Sequence, residues 1–380
     1  MSNPMELNTN IVGIYTATTK KITEPRFSHK ISIPNNQALL DNDDDNHHYG
    51  ILQKRMHIIL CYQKQSNEDS GWHLGGWIKE SLGHALVDNP ILAGRLRRSE
   101  SDQGSLEIVS NDSGVRCVEA ELPLSLVDFL QLKEKNNEIE DKLVYWNDVD
   151  GSYPQFSPLF YIQVTNFQCG GYSVGISYNL FLVDPLSMAE FLNRWTEIHR
   201  SMAYESEVPK PPFFHTVNFK QNECSSSLKH SISSSLTSKT MIFNIFTDEK
   251  LHSGNETCKY FVLLCLEEAE SKFGSKIGKI NSTFTLIIKE PNGNTKVENL
   301  SKQRNFALPK NLGYDLNSVS WEDLSINYEV VFHRENAPID ASHWIACDAL
   351  EGVVLVVISS PSEGKSGVKV YITVPIDQRI

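Results

Sequence analysis

Twelve residues, Tyr172 to Val183, run without a charged side chain straight into Asp184-Pro185. Their alternation and β-branched content predict a strand. An aspartate followed by proline is the N-cap and first-turn signature of a helix. Met188, Phe191, Leu192, Trp195 and Ile198 then recur at helical spacing and give that helix one apolar face. A strand that leads directly into an amphipathic helix must bury both against a further layer, which points to a layered α/β fold.

The rest of the chain extends this reading. Met56 to Tyr62 predicts a buried strand, Trp72 to Leu86 an amphipathic helix ending before Pro90, and Leu92 to Leu96 a return to strand. Further strands are expected at Leu106–Val109, Val115–Glu119 and Leu159–Phe167, the last joined to Tyr172 through the turn Gly170-Gly171. The acidic run Asp41 to His48 lacks the glycine and distal glutamate of a calcium loop and reads as solvated loop. Between residues 205 and 240 a stiff Val208-Pro209-Lys210-Pro211-Pro212 gives way to serine triplets, the composition of a linker. Beyond it come strands at Thr240–Phe246, Thr283–Ile288, Tyr328–Phe332, Val353–Ile358 and Val368–Val374. A helix is expected at Tyr260–Phe273, with Phe261, Leu264, Cys265 and Ala269 on one face. Mixed α and β order on both sides of a long linker predicts two layered α/β domains rather than a barrel or a bundle.

Charge and cysteine usage exclude some functions. With a net charge of −12 the 380-residue chain does not suit sequence-independent nucleic-acid binding, which requires a cationic surface. Its seven cysteines are scattered without a Cys-x-x-Cys pair, so neither a disulfide framework nor a zinc site is expected, and reduced thiols in the cytoplasm fit best. No apolar run approaches the ~20 residues needed to span a bilayer, so no transmembrane segment is expected. Histidine pairs at metal spacing, phosphate-binding glycine loops and a Gly-x-Ser-x-Gly elbow are missing, so no metal is expected.

Three stretches carry a family resemblance. Leu82 to Leu96 passes from helix to strand and ends in Leu92-Ala93-Gly94-Arg95-Leu96, Gly175 to Trp195 spans the strand–helix junction, and Ser320-Trp321 leads toward Tyr328-Glu329-Val330. Together they resemble the plant BAHD family of CoA-dependent acyltransferases over nearly the whole chain. Asn111 to Arg116 with Glu119-Ala120, Phe156 to Leu159, and Gln163 to Gly171 look most like the family's Eceriferum/Glossy wax clade. The resemblance implies two pseudo-symmetric α/β domains of the chloramphenicol-acetyltransferase type with a tunnel between them. Residues 1–204 would form the first domain, 205–240 the crossover linker and 241–380 a shortened second domain.

The same resemblance identifies where the chemistry should lie. Members carry His-x-x-x-Asp at this junction, with histidine taking the acceptor's proton, a role suited to its pKa. Here the histidine position is Leu180 and the aspartate is Asp184. A general base contributes about 10²–10⁴ in rate, so standard acyl transfer should be weak or absent. Asp184 is expected to cap its helix with a partner arginine. Asn179 and Ser177 are candidates for a hydrogen bond to an oxyanion, although strand alternation puts both on the face opposite Leu180. At the family's Asp-Phe-Gly-Trp-Gly position, Val331-Phe332-His333-Arg334-Glu335 keeps only the phenylalanine, which implies a rebuilt loop with His333 an unsuitable base. After Ile288 the chain passes through Glu290-Pro291-Asn292-Gly293-Asn294 to Leu312-Gly313-Tyr314, so part of the expected tunnel wall is shortened.

The resemblance therefore implies an accessory factor in very-long-chain fatty acid and wax metabolism. It would be monomeric and cytoplasmic, brought to the endoplasmic reticulum by an elongase condensing enzyme. Acyl-CoA would be its ligand or cosubstrate, and no cofactor would be tightly bound. The alternatives left open are an active CoA-dependent O- or N-acyltransferase, a lyase or cyclase reusing the cavity, and a diverging paralogue without a retained role.

Overall fold

The computed structural model describes residues 8–33, 50–66, 69–99, 105–204, 238–248, 251–254, 256–273, 283–301, 313–321, 330–347, 351–360 and 366–375. The Asp41–His48 run and residues 205–237 of the expected linker lie outside them. The fold is a mixed α/β arrangement of two sheets.

The first sheet has six strands in the order β1 (Asn10–Ala17), β6 (Val115–Leu122), β7 (Phe160–Phe167), β8 (Tyr172–Asn179), β3 (Arg55–Tyr62) and β13 (Asp340–Ala346). Every residue of β3, β7 and β8 is buried, because both faces of these strands are covered. The second sheet has nine strands: β12 (Tyr314–Ser320), β9 (Ser238–Thr247), β15 (Ser366–Pro375), β14 (Gly352–Ile358), β10 (Thr283–Lys289), β11 (Thr295–Ser301), β2 (Ser28–Ser32), β5 (Leu106–Val109) and β4 (Arg95–Arg98). The sheets exchange strands across the chain. β13 from the C-terminal half closes onto β3, with Trp344 opposite His57. In return β2, β5 and β4 extend the C-terminal sheet, with Thr295 opposite Ile31.

Alternation along the strands divides the apolar residues between cores. In β14, Val353 and Leu355 join the principal core, to which the first sheet contributes Ile58, Leu60 and Ile176. Val354 and Val356 face the other way, into a second core under helix α4 (Glu256–Phe273). Helix α1 (Gly71–Asp88) lies beside α3 (Pro185–Tyr204), and both feed the principal core. A short α2 (Leu126–Lys133) covers the opposite face of the first sheet through Leu126 and Phe129.

Several expectations need correction. Leu92 to Leu96 is not one strand: Pro90–Ala93 forms a 3-10 turn, with proline in its first turn, and β4 begins at Arg95. The strand from Tyr172 stops at Asn179, short of Val183. Of the expected strand Tyr328–Phe332, Tyr328 and Glu329 lie outside the described residues and Val330–Phe332 is irregular; the loop behind it places Arg334 at φ 43°, a left-handed conformation. Glu290–Asn294 turns a hairpin, with the Gly293 N–H donating to the Glu290 carbonyl at 2.9 Å, and carries the chain into β11. No helix among the described residues is long and apolar enough to cross a membrane.

Candidate functional site

The junction between β8 and α3 is built by Asn179. Its Oδ1 accepts the Phe181 N–H at 2.9 Å, and its backbone carbonyl accepts the Leu182 N–H at 3.0 Å, so the chain turns instead of extending. Its Nδ2 donates to the Leu52 carbonyl at 2.7 Å. With both ends of the amide engaged and the residue fully buried, Asn179 holds the turn. The turn hands the Leu180 N–H to the Lys54 carbonyl at 3.0 Å and places the Leu180 side chain, 0% exposed, in the principal core.

Asp184 caps α3. Its Oδ1 accepts the N–H groups of Leu186 at 3.1 Å and Ser187 at 3.3 Å, while Oδ2 accepts the Ser187 hydroxyl at 2.5 Å. Tyr371, on β15, donates its hydroxyl to Oδ1 at 3.3 Å. Among the described residues no arginine is paired with Asp184; the cation nearby is Lys289, at the end of β10. Its ammonium donates to the Phe181 carbonyl at 2.7 Å, and its charge lies in the field of Asp184. Burial draws the Lys289 pKa down to about 8, with Asp184 acting in the opposite sense. Burial and then the Asp184 charge push the Tyr371 phenol far above its ordinary value. Sequence spacing gave no sign of either residue, since Tyr371 is 187 positions from Asp184.

Beyond Tyr371 the aromatic packing continues through Trp321, 5.8 Å away between ring centroids, to His343 at 4.9 Å from Trp321. Only about 40 Å³ is open beside Trp321 and His343. Larger cavities, of about 520 and 370 Å³, are lined by other parts of the chain and include neither Leu180 nor Asp184.

The opposite face of the first sheet carries a serine–histidine pair that sequence reading overlooked. His57 Nδ1 lies 2.7 Å from Ser177 Oγ, and His57 Nε2 accepts from Arg55 Nε at 3.1 Å. An arginine Nε can only donate, so in the neutral ring Nδ1 carries the proton and donates it to the serine. That tautomer cannot take a proton from Ser177. Burial, and then the Arg55 charge, hold the His57 pKa well below its ordinary value. Arg55 in turn pairs with Asp148 at 3.2 Å and sits over Trp146. The Ser177 hydroxyl is thus committed to a buried network and is remote from Leu180, as alternation predicted.

His333 is buried next to Phe332, which packs against Trp195 and His199. His199 shares the Ser81 hydroxyl with the Trp195 indole, each at 3.0 Å. Burial, then the neighbouring charges of His73 and His333, draw the His199 pKa down to about 3. The structure therefore joins Asn179, Leu180 and Asp184 at one junction and keeps His333 in a separate aromatic cluster. No group of three metal-binding side chains occurs among the described residues.

Comparison with known proteins adds family evidence. A family model described as the Transferase family matches residues 40–244. Protein ECERIFERUM 26-like from Arabidopsis thaliana is 36% identical over 120 residues, 32% of this chain and 27% of that protein. Fatty alcohol:caffeoyl-CoA acyltransferase, also from Arabidopsis thaliana, is 33% identical over 175 residues, 44% of this chain and 38% of that protein. The matched stretches thus span well under half of these curated relatives. Among solved structures, vinorine synthase aligns over 97% of this chain and 95% of its own, at 17% identity and a TM-score of 0.44.

Proposed function

Since this chain belongs to the Transferase family, the BAHD acyltransferases, we propose that it is a non-catalytic member acting as an accessory factor in very-long-chain fatty acid and wax metabolism. The carrying observation is Leu180. If it stands at the family's catalytic histidine position, the proton acceptor is replaced by an apolar side chain with no exposure. Asp184 does not supply the missing function, because its carboxylate is committed to the α3 cap and to Tyr371. Lys289 is committed to the Phe181 carbonyl. The similarity to ECERIFERUM 26-like supports the wax assignment. In this reading the ligand is an acyl-CoA that is bound but not cleaved. The partner is an elongase condensing enzyme, which brings a cytoplasmic protein to the endoplasmic reticulum.

The test is a calorimetric titration of the full chain with short, aromatic and very-long-chain acyl-CoAs, with free thiol followed in the same samples. Binding without thiol release, together with altered product chain lengths on co-expression with elongase components, is the expected result. Unchanged chain lengths sink the partner assignment. A second reading, an active acyltransferase, draws on the named activity of the fatty alcohol:caffeoyl-CoA relative. Thiol release that depends on added alcohol or amine would establish it in place of the first.

A further inference from the structure

The cavity of about 370 Å³ opens at the edge of the nine-stranded sheet, where β2, β4 and β5 meet the 3-10 turn Pro154–Phe156. Among the described residues its lining includes Arg26, Arg95 and Arg97 and no acidic side chain, in a chain whose net charge is −12. Arg95 is the unusual member. It is only 6% exposed, yet among the described residues its guanidinium is held by carbonyl oxygens: Gly94 at 2.9 Å, Gly114 at 2.8 Å and Ser113 at 3.3 Å. Carbonyl dipoles satisfy hydrogens but bring no net negative charge, and a buried cation without a counter-ion is costly. Those three bonds use Nη1 and one hydrogen of Nη2. The Nε hydrogen and the second Nη2 hydrogen have no partner among the described residues.

The surrounding charges do not close the balance. Arg97 is bound through Nε and Nη2 to Glu107, at 3.1 and 2.7 Å. Arg26 faces Asp112, whose carboxylate already accepts the Thr23 N–H at 2.9 Å and the Thr23 hydroxyl at 2.5 Å. Arg116 adds a like charge to Arg95. Among the described residues, the three arginines that line the cavity stand against the carboxylates of Glu107 and Asp112, which leaves positive charge in excess. An anion bound here would offset that excess and give Arg95 the counter-charge its carbonyl partners do not supply. Phe27, 40% exposed, offers an apolar face in the same cavity, and Asn111 and Gln155 add amides.

We propose that this cavity binds a phosphate-bearing small molecule, with Arg95 and Arg26 on the phosphate and the body of the ligand against Phe27. An arginine fork matches phosphate oxygens in pairs, and a cavity of this size suits a small organic ligand. The site is separate from the Leu180 junction and does not depend on the acyl-CoA reading.

Calorimetric titration of the full chain with inorganic pyrophosphate, at two salt concentrations, tests it, with citrate as the carboxylate comparison. Pyrophosphate should bind, more weakly at high salt, and at least tenfold more weakly in Arg26→Gln. Arg26 is an exposed residue, so that variant should keep the fold. Arg95→Lys, which keeps the charge but loses the fork, should also weaken binding. No heat at millimolar pyrophosphate overturns the proposal. Equal affinity in wild type and Arg26→Gln overturns the location, and citrate binding as tightly as pyrophosphate overturns the phosphate assignment.

Discussion

Replacing Leu180 by histidine would put an imidazole into an apolar core shared by both sheets. A buried polar group without a partner costs about 1–3 kcal/mol, so Leu180→His should lower the urea midpoint and leave thiol release from acyl-CoA at background. A gain of acyl transfer would show instead that the site is poised for a base. Lys289 makes a second prediction at this scale. Its folded pKa, about 8, lies below the ordinary 10.5, so between these values the unfolded state binds more protons. Stability from this group therefore rises as pH goes from about 8 to 10.5, and the protonated form is the disfavoured one below that window. In Lys289→Met this contribution should vanish. Urea melts of both proteins at pH 7.5 and pH 10, buffer values of about that spacing, should converge on the alkaline side; an unchanged difference refutes the assignment.

At the scale of the element, α3 depends on its first turn. Asp184→Ala removes the cap and should destabilise the protein by about 0.5–2 kcal/mol, while Asp184→Ser should recover much of that loss, because serine caps as well. If the serine variant is as unstable as the alanine variant, the Lys289 and Tyr371 contacts matter more than the cap. The helix and its aspartate were legible because periodicity and the Asp184-Pro185 pair are local signals. The end of β8 was not legible: Leu180 to Val183 looks like strand, and only the Asn179 side chain shows why the chain turns. β13 was missed for a different reason. Asp340-Ala341-Ser342-His343-Trp344 has no apolar alternation, and it is a strand because the β3 edge is there to pair with. Lys289 and Tyr371 reach Asp184 through sheet topology alone, so spacing along the chain could not have brought them forward.

At the scale of the whole molecule, the exchange of β13 against β2, β5 and β4 means that each half completes the other's sheet. The two sheets also share one apolar core. Equilibrium unfolding should therefore be a single transition, with tryptophan fluorescence and far-ultraviolet circular dichroism tracing coincident curves. Residues 1–204 expressed alone should fail to give a cooperative melt. Two separated transitions in the full chain, or a cooperative melt of the fragment, would show independent domains.

The pairing of β3 with β13 also sets a clock during synthesis. When Cys61 leaves the ribosome, its eventual neighbour Asp340 is still untranslated. Elongation at about 5–20 residues per second puts the arrival of that neighbour tens of seconds later. Throughout that interval β3 has at least one bare edge, the kind of surface that recruits stray strands from other nascent chains. Soluble yield in a heterologous host should therefore rise with chaperone supply during the interval before β13 is made, and a yield indifferent to added chaperone would refute this.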